Sequence, residues 1–325
     1  MGLRKTRKKG RMLGEGFYGK TYQLEALPLD NQKIESIVLY TDKKTNILLK
    51  GSDLKEFLAF LGKTKGIIAK VFKDRFLLIG ATNADHFMQE LETNERILRA
   101  YKNHMKFLTI TPLRGFRKLN ITGMQVISTT ASMYVIFSTM CKNVFTVHDV
   151  TPLKDMMESI AVLQKGGYHH NDIKIDNIVK CSDRFKLIDW GQASPLDQLY
   201  LGDMISTSPI KWYIMGAPSY YADKFMDLRA TAIDMEYEAW PPFREQEERI
   251  RNEFFSVLGR SQDKEELMQK YKKTFDIFMA AMTFLQLIHK YRLNYKKYKP
   301  LIETLTSLEK PISDPAEALN LIKKY

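Results

Sequence analysis

Apolar residues recur along this chain with two different spacings, and each spacing predicts a different kind of element. Runs too short for a helix predict strands at residues 66–73, 124–127, 133–137 and 187–188. Longer stretches with helical spacing predict helices at residues 53–61, 84–101, 151–167 and 244–258. The sequence therefore predicts a protein that contains both strands and helices.

Residues 275–288 follow neither pattern, because they are apolar on nearly every side. A helix of this kind is buried inside a protein. The run is too short to span a bilayer, and no apolar segment follows the basic residues at the N-terminus. We therefore expect neither a transmembrane segment nor a secretory signal.

Four polar residues stand at fixed positions in the stretch from residue 168 to residue 191. Asp172, Lys174 and Asn177 precede a short apolar run, and Asp189 follows a second one. A strand, a polar turn and a second strand would bring the four side chains into one small volume. Carboxylate and amide oxygens are ligands that hard cations prefer, so this set suits magnesium and a phosphate.

This stretch resembles the catalytic core of the protein kinase superfamily. The family pattern H-R-D-L-K-x-x-N corresponds to His-Asn-Asp-Ile-Lys-Ile-Asp-Asn at residues 170–177, and D-F-G corresponds to Asp-Trp-Gly at residues 189–191. One motif alone would be weak, but both in this order and at this distance are specific. The resemblance covers most of residues 12–290.

The resemblance implies a bilobal α+β fold with a strand-rich small lobe and a mainly helical large lobe. The small lobe would span residues 12–140, with an insertion at about 30–64. The large lobe would span residues 141–325, with a second insertion at about 227–270. Only a short tail would follow residue 291, so the C-terminal end of the large lobe would be trimmed.

Three glycines near the N-terminus form a G-x-G-x-x-G pattern. Dinucleotide-binding folds use the same letters, but a helix follows there, whereas the residues after the last glycine predict a second strand. The resemblance implies a hairpin over the phosphates of ATP, because glycine lets a backbone approach a phosphate closely. The nucleotide-binding residues that it implies are Leu13, Gly14, Gly16, Tyr18, Gly19, Thr21, Ala69, Lys70, Ser138, Met140 and Val179.

A lysine in an apolar strand needs an anionic partner. By resemblance Lys70 would bind the α- and β-phosphates, and Lys50 is a rival because the spacing from the glycines to Lys70 is longer than usual. The helix that follows would supply the partner of this lysine. Glu90 is the first candidate, and Glu92 and Glu95 are alternatives.

The strand at residues 133–137 would precede the hinge of the kinase fold, at about residues 138–141. The hinge backbone would face adenine, and Phe137 would lie at the back of the pocket. Ala69 and Val179 would contact the two faces of the adenine ring. All of these positions are implied by the resemblance alone.

The activity that the resemblance implies is that of an ATP-dependent serine/threonine protein kinase. Asp172 would act as the base toward the substrate hydroxyl, and Lys174 would steady the γ-phosphate. Asn177 and Asp189 would hold Mg²⁺ or Mn²⁺. The expected partner is a protein substrate with a Ser or Thr acceptor.

The resemblance implies structural roles for two further residues of the catalytic core. His170 is expected to be a packed structural histidine rather than a base. Asp276, in the apolar run, would anchor the catalytic loop. Asp234 is the rival for that role, although prolines at residues 241 and 242 would break a long helix there.

The chain departs from the family pattern next to the catalytic aspartate. Asn171 stands where regulated kinases have an Arg, so a phosphate on the hydroxyl residues at 206–208 would lack its usual partner. We therefore predict that activity does not require phosphorylation of this segment. Gly-Ala-Pro-Ser-Tyr at residues 216–220 resembles the family's G-T-P-x-Y, with Ala in place of Thr.

The Trp at position 190, the missing Arg and the trimmed tail make the chain similar to kinases encoded by large DNA viruses. The expected location is the cytoplasm. If the protein is viral, this would be the cytoplasm of the host cell or the virion. Cys141 and Cys181 show neither a disulfide framework nor metal-ligand spacing, which also favours a reducing compartment.

The net charge of +12 either favours acidic partners, such as phosphate-bearing ligands or membrane headgroups, or simply keeps the protein in solution. Six of the ten residues at positions 2–11 are basic and none is acidic. Residues 1–11 are therefore expected to form a basic arm, which is either simply solvated or binds an anionic partner such as nucleic acid or lipid headgroups.

Two other functions stay open at this point. A pseudokinase that binds nucleotide and acts as a scaffold is compatible with the departures at Asn171 and Trp190, although every residue with a direct chemical role is present. A small-molecule phosphotransferase on a related fold would share the Asp and Asn motifs. Lys174 and the Gly-Ala-Pro-Ser-Tyr segment favour a protein substrate instead.

Overall fold

A computed structural model describes residues 12–15, 20–27, 29, 33–43, 45–73, 82–100, 104–129, 132–142, 145–198, 208–214 and 239–325 of the chain. These residues form an α+β structure of two compact units. The first unit holds the described residues up to Met140, except Lys106–Leu108. The second unit holds that short segment and the described residues from Cys141 onward.

The first unit is built on an eight-stranded antiparallel sheet. Its strands are β1 (Met12–Glu15), β2 (Lys20–Gln23), β3 (Ile34–Thr41), β4 (Asn46–Leu49), β5 (Ile67–Lys73), β6 (Leu113–Arg114), β7 (Asn120–Ser128) and β8 (Ser132–Thr139). Their order is β1-β2-β5-β8-β7-β3-β4, and β6 pairs with β7. The three strands predicted for this part of the chain are confirmed.

Helices α1 (Gly51–Leu61) and α2 (Asn83–Ala100) complete the first unit, and a short helix α3 (His104–Phe107) follows. Both longer helices were predicted within two residues of these bounds. The residues expected to form an insertion at about 30–64 contain β3, β4 and α1. Because β3 pairs with β7 along most of its length, this segment extends the sheet rather than standing apart from it.

Helices α1 and α2 cover opposite faces of the sheet. Successive side chains of a strand point to opposite faces, so Ala69 and Lys70 of β5 face different helices. Ala69 belongs to the apolar core that Phe57 of α1 joins. Phe72, two residues after Lys70, packs with Phe87 of α2. Lys70 therefore lies on the face that α2 covers.

Helix α2 packs closely against the sheet at Gly123 of β7. A Cβ at this position would lie 3.0 Å from Leu91 Cδ1, 3.0 Å from the Val135 carbonyl oxygen and 3.2 Å from Phe87 Cε2. Only glycine leaves the room that this contact needs. The position of Glu90, next to Leu91 on α2, thus depends on packing at Gly123.

The second unit is mainly helical. Its helices are α4 (Thr151–Lys165), α5 (Pro209–Ile214), α6 (Pro241–Arg260), α7 (Lys264–Tyr271), α8 (Phe275–Lys290), α9 (Tyr295–Leu305) and α10 (Pro315–Ile322). Its strands are β9 (Tyr168–His169), β10 (Ile178–Cys181), β11 (Arg184–Leu187) and β12 (Ser194–Pro195). Strands β10 and β11 form a hairpin, and β9 pairs with β12.

Helix α8 is the buried helix that the apolar run predicted, and α4 and α9 pack against it. Helix α10 packs against α4. Helix α4 ends at Lys165, and Gly167 follows in a left-handed conformation with φ 82°, as the Gly-Gly pair predicted. Within the described ranges, no helix has both the length and the apolar character that crossing a membrane requires.

The chain after residue 291 forms two helices where the sequence predicted only a short tail. Helix α9 is capped by Asn294, whose side chain accepts the Lys297 N–H, and α10 is capped by Asp314, which accepts the Ala316 N–H. Asn and Asp are strong N-cap residues, so the signal for both helices was present in the sequence.

The described part of the expected second insertion packs against these C-terminal helices. Helix α6 begins at Pro241. Proline is favourable in the first turn of a helix, so the two prolines start a helix here instead of breaking one. The buried Gln246 donates to the Tyr295 hydroxyl at 2.8 Å, and Glu253 accepts the Leu308 N–H at 2.6 Å. The insertion therefore contributes to the core of the second unit.

Cys141 and Cys181 form a disulfide bond, with their Cα atoms 4.7 Å apart. The expectation that the two cysteines are unpaired is therefore wrong, and it no longer supports a reducing compartment. The physical reason is a pair of backbone hydrogen bonds between Lys142 and Lys180, at 2.9 and 2.8 Å, which brings the flanking residues together. Such a long-range pairing is not visible from the spacing of two cysteines.

Candidate active site

The loop before β10 is held in place by α8. The fully buried Asp276 carboxylate accepts the backbone N–H of His170 at 2.7 Å and that of Asn171 at 3.0 Å. Two turns later on α8, the Thr283 hydroxyl donates to the Ile173 carbonyl oxygen at 3.1 Å. Asp276 thus anchors the loop as predicted, while the contact of Thr283 was missed.

The Asp172 carboxylate lies within this loop and is largely buried. Lys174 Nζ donates to Oδ1 at 3.0 Å, and Asn177 Nδ2 donates to Oδ2 at 2.8 Å. The same Nδ2 donates to the Asp172 carbonyl oxygen at 2.8 Å. Hydrogen bonds to an ionised carboxylate are strong, so these two donors fix its orientation. The Lys174 side chain is 32% exposed.

His170 packs against the same loop. Its fully buried ring lies 4.7 Å from the Trp190 indole, measured between ring centroids. Asp172 N–H donates to Nδ1 at 3.3 Å, and Nε2 lies 3.1 Å from the Ile188 carbonyl oxygen. These partners fit a neutral ring protonated on Nε2, and burial lowers the pKa of His170 accordingly. His170 is therefore a packed structural residue, as predicted.

The β10–β11 hairpin brings Asn177 and Asp189 to the same end of a pair of strands. Ile178 pairs with Leu187, and the Ile188 N–H donates to the Asn177 carbonyl oxygen at 2.9 Å. Asp189 follows with a φ of 63°, in the left-handed region. Asp adopts this conformation more readily than most residues, and such backbone strain is frequent at functional sites.

The chemistry of this end of the hairpin fits a hard divalent cation. Asn177 uses Nδ2 for Asp172, so its amide turns Oδ1 toward other partners. Mg²⁺ is usually bound by one or two carboxylates together with the phosphates of a substrate. Asn177 and Asp189 are the residues whose side-chain oxygens would hold such a cation. No group of three or more His, Cys, Asp or Glu side chains is placed to hold a metal ion in the described part of the chain.

In the first unit, Lys70 of β5 and Glu90 of α2 form an ion pair, with 2.8 Å between Nζ and Oε2. The Glu90 side chain is only 3% exposed and that of Lys70 is 17% exposed. Lys70 Nζ also lies 5.1 Å from the centroid of the Phe72 ring. Because an unpaired buried carboxylate would be costly, each member of the pair stabilises the other in this position.

The rival candidates for this pair are placed elsewhere. Lys50 is exposed and stands at the N-terminus of α1. Glu92 is exposed on α2. Glu95 is buried, and its Oε1 accepts the Thr122 hydroxyl at 2.9 Å. Of the predicted candidates, the structure brings together Lys70 and Glu90.

The predicted phosphate-binding hairpin is described in part. Gly14 of β1 pairs with Thr21 of β2, and Thr21 pairs with Lys70 of β5. The strand predicted after the glycines is therefore present, and Leu13 lies in β1 before the turn. Three of the predicted contact residues lie outside the described residues, namely Gly16, Tyr18 and Gly19.

The predicted adenine contacts are divided between the two units. Ala69 is buried in the first unit, and Val179 of β10 is largely buried in the second. Ser138 lies in the paired part of β8. The Met140 N–H donates to the Gly66 carbonyl oxygen at 3.0 Å, so this amide is already engaged within the first unit. The expectation that the hinge backbone at residues 138–141 faces adenine stays a prediction, and this contact argues against a bond from the Met140 N–H to adenine.

The chain after Asp189 adds a residue that the sequence analysis missed. The Lys211 side chain, on α5, is fully buried, and its Nζ donates to Asn171 Oδ1 at 3.0 Å. A lysine within the run Pro-Ile-Lys-Trp-Tyr-Ile was the available signal. Ser208 is also buried. Other predicted positions lie outside the described residues, namely Ser206, Thr207, residues 216–220 and Asp234.

Comparison of the chain with protein-family models and with curated proteins finds no match.

Proposed function

We propose that this chain is an ATP-dependent serine/threonine protein kinase. The observation that carries the proposal is the geometry around Asp172, whose carboxylate oxygens accept hydrogen bonds from Lys174 and Asn177 on a loop that Asp276 anchors. A base, a cation and an amide on one short loop suit phosphoryl transfer. In this reaction a protein mainly aligns the reacting groups and neutralises charge.

In the proposed reaction, the oxygen of a Ser or Thr hydroxyl attacks the γ-phosphorus of ATP. The bond from that phosphorus to the β,γ-bridging oxygen breaks, and ADP leaves. Asp172 orients the hydroxyl and accepts its proton. Lys174, which pairs with Asp172, neutralises charge on the transferred phosphoryl group. His170 takes no part as a base, because its ring is buried and both of its nitrogens are engaged, Nδ1 with the Asp172 N–H and Nε2 with the Ile188 carbonyl oxygen.

The remaining residues would hold the nucleotide. Lys70, kept in place by Glu90, would bind the α- and β-phosphates. Mg²⁺ or Mn²⁺, when bound, supplies positive charge that offsets the charge of the phosphates. Asn177 and Asp189 would hold it, as their donor atoms fit. The α+β architecture, with a strand-rich first unit and a mainly helical second unit, is compatible with the kinase fold.

A protein is the proposed substrate class. Lys174 stands two residues after Asp172, which is the serine/threonine pattern of the superfamily that the sequence resembles. The Gly-Ala-Pro-Ser-Tyr segment at residues 216–220 supports the same assignment through the same resemblance.

The test measures transfer of label from γ-labelled ATP with Mg²⁺ to casein, myelin basic protein and histone, followed by identification of the labelled residue. We expect phosphoserine or phosphothreonine with the wild type and none with Asp172→Asn. Label on small alcohols or aminosugars, with none on proteins, would favour a small-molecule phosphotransferase. Binding of Mg-ATP without any transfer would contradict the proposal and favour a nucleotide-binding scaffold.

A further inference from the structure

Asn171 connects the catalytic loop to three other parts of the second unit. It is fully buried, and its φ of 65° lies in the left-handed region, which Asn tolerates better than most residues. Its backbone N–H donates to Asp276. Its Nδ2 donates to the Gln192 carbonyl oxygen at 3.0 Å and to Ser194 Oγ at 2.8 Å. Its Oδ1 accepts from Lys211 Nζ at 3.0 Å.

Burial of the Lys211 ammonium group at this position is energetically unfavourable. Its side chain is fully buried, and Nζ lies 5.8 Å from the centroid of the Phe275 ring. Burial lowers the pKa of Lys211 to about 8, while the charges of Asp276 and Asp172 act in the opposite direction. A buried ammonium group is tolerated only when it is paired and hydrogen-bonded. Asn171 supplies a hydrogen bond to this group, and the charges of Asp276 and Asp172 favour its protonated form.

In this contact the positive charge comes from the segment after Asp189, whereas in a phosphorylated kinase it would come from the loop. An Arg on the loop would bind a phosphate on the following segment. Here the loop offers a neutral amide oxygen, and the segment itself supplies the cation. Ser208, three residues before Lys211, is fully buried, so the folded chain does not expose this hydroxyl for modification.

We infer that Lys211 is a positioning residue for phosphoryl transfer. By binding Asn171, it holds the loop that carries Asp172 in place without a phosphate on the segment after Asp189. The inference rests on the proposed function, because it gives Lys211 a part in that reaction. Lys211 acts through Asn171, so its loss should lower the rate of transfer more than the affinity for ATP.

The test compares Lys211→Met with Lys186→Met. Lys186 is a matched control, because it is another buried lysine of the second unit and its Nζ donates to the Leu108 carbonyl oxygen. We expect Lys211→Met to lower kcat about 10-fold or more with KM for ATP within about twofold. Lys186→Met should keep kcat within about twofold.

A double-mutant cycle adds a readout that general damage to the core would not give. Asn171→Gly removes the amide, and glycine keeps the positive φ without strain. Asn171→Gly should also lower kcat. The double variant should be no slower than the slower single variant, since Lys211→Met removes a contact that Asn171→Gly has already removed. Wild type treated with phosphatase should keep its full kcat.

Several results would overturn the inference: wild-type kcat in Lys211→Met or in Asn171→Gly, an equal loss in Lys186→Met, multiplied losses in the double variant, or loss of activity after phosphatase treatment. If Lys211→Met fails to fold, Asn171→Gly and the phosphatase treatment still decide the question. Failure of the proposed function gives a different result, because folded wild type would then label no protein, and the inference would fall with it.

Discussion

The two parts of the proposed site are held by different kinds of contact. Lys174 and Asn177 reach the Asp172 carboxylate from two and five positions along the chain. Lys70 and Glu90 are 20 positions apart, one on a strand and one on a helix. The first arrangement is set by a short loop and its anchors, and the second by the packing of α2 against the sheet.

This difference shows which changes should damage each part. The loop depends on a few buried hydrogen bonds to α8, so loss of one acceptor should disturb all of its polar side chains together. The ion pair depends on apolar packing at Phe87 and Gly123, so a change in side-chain volume should disturb it without altering either charge.

The largest effect is expected from Asp276→Asn, which would break the loop. Asp276 accepts two backbone N–H groups, and the Asn amide would leave one of them without an acceptor. We expect the free energy of unfolding to fall by about 3 to 5 kcal/mol. We expect kcat to fall about 100-fold, because a small displacement of a catalytic group is enough for such a loss.

Asp155→Asn is the matched control for that change. Asp155 is also buried in the second unit, and it accepts the Phe185 N–H at 2.9 Å rather than an N–H of the loop. It should lose stability with a much smaller loss of kcat. Equal kcat losses in the two variants, measured on folded protein, would show that the loop has no special dependence on Asp276.

The next largest loss of stability is expected from removal of the disulfide bond in the second unit. The Cys141–Cys181 disulfide closes a loop of 40 residues, so its removal should lower the free energy of unfolding by about 2 to 4 kcal/mol. Denaturant unfolding with and without a reductant measures this. A variant with both cysteines changed to Ser is the control, since reductant should not affect it. Identical unfolding of oxidised and reduced wild type would contradict the prediction.

Gly123→Ala should disturb the ion pair through packing alone. The added methyl group would meet the Val135 carbonyl oxygen and the side chains of α2, so we expect a loss of about 1 to 3 kcal/mol. We also expect weaker ATP binding, because α2 carries Glu90. Gly62→Ala is the control, since its nearest neighbours would be 3.7 and 3.8 Å away. Equal effects of the two changes on stability and ATP affinity would be evidence against this packing argument.

The smallest effect on stability is expected from Glu90→Gln. The Gln amide keeps a hydrogen-bonding group beside Lys70, so the loss should be about 1 kcal/mol. KM for ATP should rise about 10-fold, because Lys70 loses the charge that positions it. Glu92→Gln removes an exposed charge from the same helix and should change neither value. Unchanged KM in Glu90→Gln would separate the ion pair from nucleotide binding.

The parts of the fold and of the proposed site that could be predicted from the sequence are mostly those whose residues lie close together in the chain. The loop, the hairpin and the two motifs were visible because their residues lie close together in the chain. Asp276 was predicted through the resemblance to the kinase superfamily, whose central helix in the large lobe opens with an Asp. The sequence also named Glu90, but it left two other glutamates open, since neither spacing nor charge distinguishes residues on one helix.

Other features depend on distant parts of the chain and could not be predicted. Lys211 reaches Asn171 from 40 positions away, and Thr283 reaches Ile173 from 110 positions away. Cys141 and Cys181 meet because the neighbouring backbones pair. The two C-terminal helices, in contrast, could have been predicted, because their N-cap residues Asn294 and Asp314 are recognisable in the sequence.

The most direct test of the central claim compares wild type with Asp172→Asn in a single turnover of bound γ-labelled ATP, with Mg-ATP affinity measured in parallel. The variant keeps the shape of the side chain but removes the base. We predict an affinity within about threefold of wild type and a transfer rate at least about 100-fold lower. Transfer by Asp172→Asn at the wild-type rate would contradict the role of Asp172 and, with it, the account of the site.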